Sequence, residues 1–167
     1  IHWVPDNQKP VLTEERKMTF HRPEDADISH VIDLHTKLTA RVDLELDGDP
    51  EHAGFQFRPA NEAQAKETRY LFPKEGQNPR NDKDLPWVAE QFTLQDRSYT
   101  VLHLNHPSNP SPTQYSAYRD YGRFGAFFRH SLEKDRTLGL YYRIVIMPGP
   151  LRERERLQAI YEEWIHP

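Results

Sequence analysis

The sequence contains no cysteine, which excludes a disulfide framework, a thiol nucleophile and a Cys-ligated zinc. Redox compartment is left open by that absence, since many exported proteins also lack cysteine. No apolar run approaches the ~18 residues of a membrane helix; the longest candidate, Leu138 to Met147, is interrupted by Arg143. Only seven glycines are present, none in a phosphate-cradling pattern, so neither a P-loop nor a dinucleotide fingerprint is available. Ser108, Ser111 and Ser116 lack a G-x-S-x-G setting, which leaves a hydrolase nucleophile unsupported. Positive charge is not in surplus either. With 22 Lys and Arg against 26 Asp and Glu the net charge is −4, spread without a basic stripe, and binding to a nucleic-acid backbone is disfavoured.

What is present is one domain's worth of chain, residues 1–167, with 36% apolar and 29% charged residues. The first residue is Ile rather than Met. Removal of a leader would place the chain in the periplasm or outside the cell, and removal of a longer segment would make it part of a larger unit.

The patterning is that of strands. Glu15–His21 reads as a strand ended by Pro23. From Ile32 to Leu46 every even position is apolar or small while the odd ones include Asp33, His35, Lys37, Arg41, Asp43 and Glu45, which predicts one long bent strand, or two end to end, with even residues in the core. Phe55–Arg58 continues as a strand after the turn at Asp47–Pro50. Residues 61–86 show little periodicity and read as a long excursion, a lid or a loop. Trp87–Leu94 and Tyr99–Leu104 form a predicted hairpin, as do Phe124–Phe128 and Leu138–Met147. In the last of these strands both faces are apolar, the mark of a central strand. Leu157, Ile160, Tyr161 and Trp164 stand at helical spacing after Pro148-Gly149-Pro150 and predict a C-terminal amphipathic helix. About eight strands without βαβ alternation give an all-β fold, an antiparallel β-sandwich with a C-terminal α-helix.

Between two of these strands runs HLNHPSNPSPTQYSAYRDYGRFGAFF, 103–128, a proline-stiffened loop dense in polar and aromatic side chains. Its HPSNPSPTQYSAYRDYGRFGAFF portion resembles the H-P-x-N-P…P-T…W/Y…R-x-Y-G-x-F signature of the PmoA-like family, a largely uncharacterised group carrying a "methane oxygenase" label. PVLTEERKMTFHRP at 10–23, EHAGFQFRPANE at 51–62 and PWVAEQF at 86–92 follow the order of that family's C-terminal half. Members are roughly twice as long and carry a His-rich H-H-R-G-like motif in an N-terminal half that this sequence does not contain. The resemblance implies a galactose mutarotase-like supersandwich, or half of one, with a sugar on its concave face. It also implies a partner: a second chain or an N-terminal half completing the sandwich, or a homo-oligomer. The methane oxygenase label itself alludes to an integral membrane enzyme and does not suit a chain without an apolar span.

The residues matching the signature are His106, Asn109, Tyr115, Arg119 and Tyr121. An imidazole, a carboxamide, two phenols and a guanidinium suit a polyol, with planar donors for vicinal hydroxyls and aromatic faces for the C–H side of a sugar ring. The same residues also fit a structural role, Asn109 capping a turn, Arg119 pairing with Asp120 and the tyrosines in the core. Arg58, matching the family's G-G-F-x-x-R strand, is expected on a polar concave face beside them. Glu51 and His52 are an acid and a titratable base after the Asp49-Pro50 turn, so that His106, or His52 with Glu51, is the candidate acid–base pair. Asp33 with His35 and His103 with Asn105 are the nearest approach to metal-ligand pairs, but no specific spacing joins them, and neither metal nor cofactor is assigned. The expected function is a carbohydrate-associated sandwich that binds or processes a sugar. A structural subunit is the alternative and a metal-dependent oxygenase the third reading; the sequence does not decide whether the chain is an enzyme.

Overall fold

The computed structural model of the chain describes residues 1–6, 9–50, 52–63 and 65–166. The strands in chain order are β1 (His2–Trp3), β2 (Leu12–His21), β3 (His30–Ala40), β4 (Leu44–Leu46), β5 (Phe55–Phe57), β6 (Arg69–Leu71), β7 (Trp87–Leu94), β8 (Arg97–Asn105), β9 (Thr113–Tyr115), β10 (Phe124–Phe128), β11 (His130–Leu132) and β12 (Thr137–Pro148), followed by helix α1 (Arg154–Ile165). Among the described residues they make three sheets, ordered β1-β2-β3-β12-β8-β7-β6, β5-β10-β9 and β11-β4, every pairing antiparallel. No helix among the described residues is long and apolar enough to cross a membrane.

Side-chain alternation gives the large sheet two different faces. On the inner face Met18, Leu34 and Tyr142 lie side by side across β2, β3 and β12, and the next row runs Phe20, Ile32, Ile144, His103, Val88. The three-stranded sheet packs on this face over β12, β8 and β7, burying Val88, Phe92, Val101 and Ile144 against Tyr115, Phe124 and Ala126. The outer face is covered by α1, whose Leu157, Ile160 and Tyr161 bury Trp87, Leu102, Leu104, Val145 and Met147. Strands β7, β8 and β12 are therefore enclosed on both sides, which is why their sequences are apolar at odd and even positions alike. The β4/β11 pair closes one end over Leu12, Ala40 and Leu132.

His103 ties the layers together. Buried in β8, it donates from Nε2 to the carbonyl of Phe55 in β5 (3.1 Å), and its Nδ1 lies 3.1 Å from the hydroxyl of Tyr115 in β9. The carbonyl accepts, so the proton sits on Nε2 and Nδ1 is left to accept. Burial pushes the imidazole down to about 4, against the two backbone hydrogen bonds that favour its charged form.

Several expectations are corrected. The predicted strand Ile32–Leu46 is divided: even residues Ile32 to Ala40 face inward in β3, the chain leaves the sheet at Arg41, where its amide donates to the Val11 carbonyl, and Val42 is exposed. Leu44 and Leu46 resume in β4 on another sheet. Phe124–Phe128 and Leu138–Met147 are not a hairpin, because β10 pairs with β5 and β9 in the second layer while β12 lies between β3 and β8. Apolar strands show that they are buried, not which strand they join. The excursion 61–86 is tied in along its length, by β6 on the edge of β7, by Leu85 in the core and by Asp84 bonded to Thr113.

Candidate functional site

The small sheet does not extend over β2, so the inner face there remains uncovered: Met18 and Phe20 are 48% and 68% exposed. This leaves a cleft of about 890 Å³, floored by Leu34, Leu140 and Tyr142 and walled on the far side by residues 53–56 with Arg123 and Phe128. Its size is that of a small-molecule site with an apolar floor and a few polar groups.

Glu14 is the polar hub. Sitting at an inward position of β2 and only 4% exposed, it accepts from Arg16 Nε (2.6 Å) and Nη2 (2.9 Å), Thr36 Oγ1 (2.7 Å) and Trp3 Nε1 (3.1 Å). Each carboxylate oxygen thus takes two donors. Burial alone would raise its pKa, but the hydrogen bonds from Arg16 and Thr36, the Arg16 charge and the Trp3 N–H outweigh it and hold the carboxyl below its ordinary range. Trp3 keeps 49% of its surface exposed at the cleft wall. In the cleft floor, Tyr142 has a buried hydroxyl with no hydrogen-bond partner among the described residues, and burial pushes its pKa up, so it stays neutral.

Of the residues singled out in the sequence, His52 lines this cleft, exposed, with Nδ1 on the Asp49 carboxylate at 3.0 Å. Glu51 lies outside the described residues. His106 is on the opposite face of the large sheet, packed on Tyr141 and edge-on to Trp164 of α1 (5.3 Å between rings), so the two histidines share no site. Burial depresses its basicity. Asn109 is buried and bonded through both ends of its amide, Nδ2 to Asn105 Oδ1 and the Tyr141 carbonyl and Oδ1 from the Tyr141 amide, which pins the proline loop to β12. Tyr115 is wholly enclosed in the core. Arg119 donates to the Ser116 carbonyl and lies 5.0 Å over the Tyr118 ring, which Arg80 covers at 3.8 Å. Tyr121 is 38% exposed. Arg58, expected on the concave face, is instead exposed and bonded to Asn61, since β5 ends at Phe57 and the buried Pro59 carries the chain away.

A second acid, Glu90 of β7, is fully buried on the inner face, with neither oxygen hydrogen-bonded among the described residues; burial drives it up to about 9, so it is neutral at physiological pH. Gly122 packs over it, and Tyr70, its cross-strand neighbour, donates to the Arg119 carbonyl at 2.8 Å. The Arg119–Gly122 turn thus closes the core. No group of three or more metal-ligating side chains occurs among the described residues.

With that geometry established, comparison with known families decides one point: the model of the family of unknown function DUF6807 matches residues 1–162. The chain belongs to DUF6807. No curated protein and no solved structure matches it. In this DUF6807 chain the cleft residues Trp3, Glu14, Arg16, Gln56 and Arg123 were not singled out by sequence. A signal existed in β2, where Leu12, Glu14, Arg16, Met18 and Phe20 share one parity, placing an acid and a base among inward apolar positions.

Proposed function

We propose that the uncovered inner face of the large sheet is a carbohydrate-binding site. The observation that carries the reading is the Trp3–Glu14–Arg16 arrangement at the cleft wall: a half-exposed indole whose N–H is fixed on a carboxylate, beside an Arg fork held on the same carboxylate. An immobilised aromatic face supports stacking on the C–H side of a sugar, and locked polar groups at its edge favour hydroxyl recognition without fresh ordering cost. Glu14, fully engaged and held ionised, suits positioning rather than proton transfer, which favours binding over hydrolysis. The test is titration with a panel of neutral and acidic gluco- and galacto-oligosaccharides by calorimetry. Trp3→Ala is expected to weaken binding about tenfold with the melting temperature nearly unchanged, because Trp3 lies outside the three packed clusters. Equal affinity of the variant and parent would remove Trp3 from the site, and no binding by the parent would end the reading.

A second reading, that a further protein segment covers this face, draws on the exposure of Met18 and Phe20 beside a β2 edge that β1 pairs only at Leu12 and Thr13. Its expected result is self-association in sedimentation that Phe20→Glu abolishes. A monomer at every concentration, in parent and variant alike, counts against a homodimer on this face.

A further inference from the structure

Resting on the carbohydrate reading, a count of unused hydrogen-bonding groups in the cleft narrows the ligand. Glu14 has both oxygens filled. Gln56 is likewise engaged, donating to the Ala53 carbonyl and accepting from Ser116. At the rim Glu45 accepts from Ser131 through one oxygen, and Asp47 pairs through one oxygen with Arg129 at 2.8 Å. The donors left over are guanidinium N–H groups. Arg16 has used two of its nitrogens, and the half-buried Arg123 has no ion pair or hydrogen bond among the described residues although it lines the cleft. His52 donates from Nδ1 to Asp49, which leaves its Nε2 as an acceptor.

A neutral polyol would meet the Arg123 guanidinium with hydroxyls alone and leave its charge unpaired. A carboxylate brings acceptors alone, four lone-pair sites in one plane that match a guanidinium fork. We propose that the cleft takes an acidic sugar, a uronate residue within an oligosaccharide, with its carboxylate on Arg123 and its ring toward Trp3.

The experiment is calorimetric titration of the chain with trigalacturonate and with its neutral counterpart of the same linkage, galactotriose. The parent is expected to favour the acidic trimer by roughly ten- to hundredfold, the scale of one charge-assisted pair, and added salt should shrink that preference. Arg123→Gln should bring trigalacturonate down to the level that the same variant shows for galactotriose; Arg123→Lys, keeping charge without the fork, should fall between. Melting curves of both variants check that the fold is kept. Equal binding of the two trimers by the parent, or a preference that survives Arg123→Gln, overturns the acidic-sugar assignment while leaving a carbohydrate site. Binding of neither trimer overturns the carbohydrate reading and this inference with it.

Discussion

Replacing Glu90 by glutamine is expected to raise the melting temperature at about pH 8 by on the order of 5–10 °C, and to do almost nothing near pH 4.5. In the unfolded chain this carboxyl titrates at its ordinary value of 4.5, in the fold at about 9. Between the two the folded state holds a proton that the unfolded state has released, so the stability is complete below pH 4.5 and is lost as pH rises toward 9. Glutamine fills the same space and has no proton to hold. His103 acts with the opposite sign: its ordinary value of 6.5 falls to about 4 in the fold, the unfolded state binds the extra proton, and stability is lost as pH falls from 6.5 toward 4. Glu14 and Asp33, both held below their ordinary range, add to that acid limb. Asp33 is lowered against its burial chiefly by the two Arg143 hydrogen bonds at 2.6 and 2.8 Å. The parent should therefore show a stability plateau between the ordinary values of Glu90 and His103 and a decline on the alkaline side, and the glutamine variant should lose the decline. Thermal denaturation across that range decides it. Parallel pH profiles for parent and variant would falsify the assignment of the alkaline limb to Glu90.

Gly125→Ala should cost about 3 kcal/mol or more, a drop in melting temperature of roughly 10 °C. Strands β5 and β10 approach so closely at this point that a methyl group on Gly125 would overlap the Phe55 carbonyl oxygen and come within 2.7 Å of the Gln56 Cα. The obstruction is backbone, which cannot rotate aside as a side chain can. Gly54, at φ +72°, is confined from the other strand by the Ala126 carbonyl, so the pair of strands is fitted by two glycines facing each other's backbone. Since His103 bonds to the carbonyl of Phe55 in the same strand, pushing β5 away also strains the tie between layers. Melting of the variant within about 2 °C of the parent would show that the second layer slides freely.

The periodic elements were legible from the chain and their distant partners were not. The parity of residues 32–40, the hairpin of β7 and β8 and the spacing of Leu157, Ile160 and Tyr161 each express a local geometry in which neighbours along the sequence decide the pattern. The pairing of β10 with β5, and of β12 with β3, joins residues some 70 to 110 positions apart, and an apolar strand carries no address for its neighbour. The same distinction separates the loop from the cleft. Residues 106–121 drew notice because prolines, tyrosines and an Arg crowd together in sequence, yet Asn109 and Tyr115 are occupied in holding the loop and the layers. The cleft sets Trp3, Glu14 and Arg16 of the neighbouring β1 and β2 across from Arg123, which only the pairing of distant strands and the shortness of the second layer bring to the same face.

Strand β2 is at once the wall of the cleft and the margin of the large sheet. Up to Thr13 it has neighbours on both sides; from Glu15 to His21, among the described residues, β3 alone pairs with it. Such a margin opens locally at far lower free energy than β12 or β8, which are paired on both edges and enclosed on both faces. Each opening dissolves the site, so the apparent affinity is the intrinsic one reduced by the fraction of time the strand is docked. Residues that touch no ligand but fasten β2, Thr36 through its bond to Glu14 among them, therefore act on affinity through occupancy of the closed state. A ligand spanning Arg16 and Arg123 in turn fastens the margin to the second layer, and would convert the least protected strand of the sheet into one shielded from both sides.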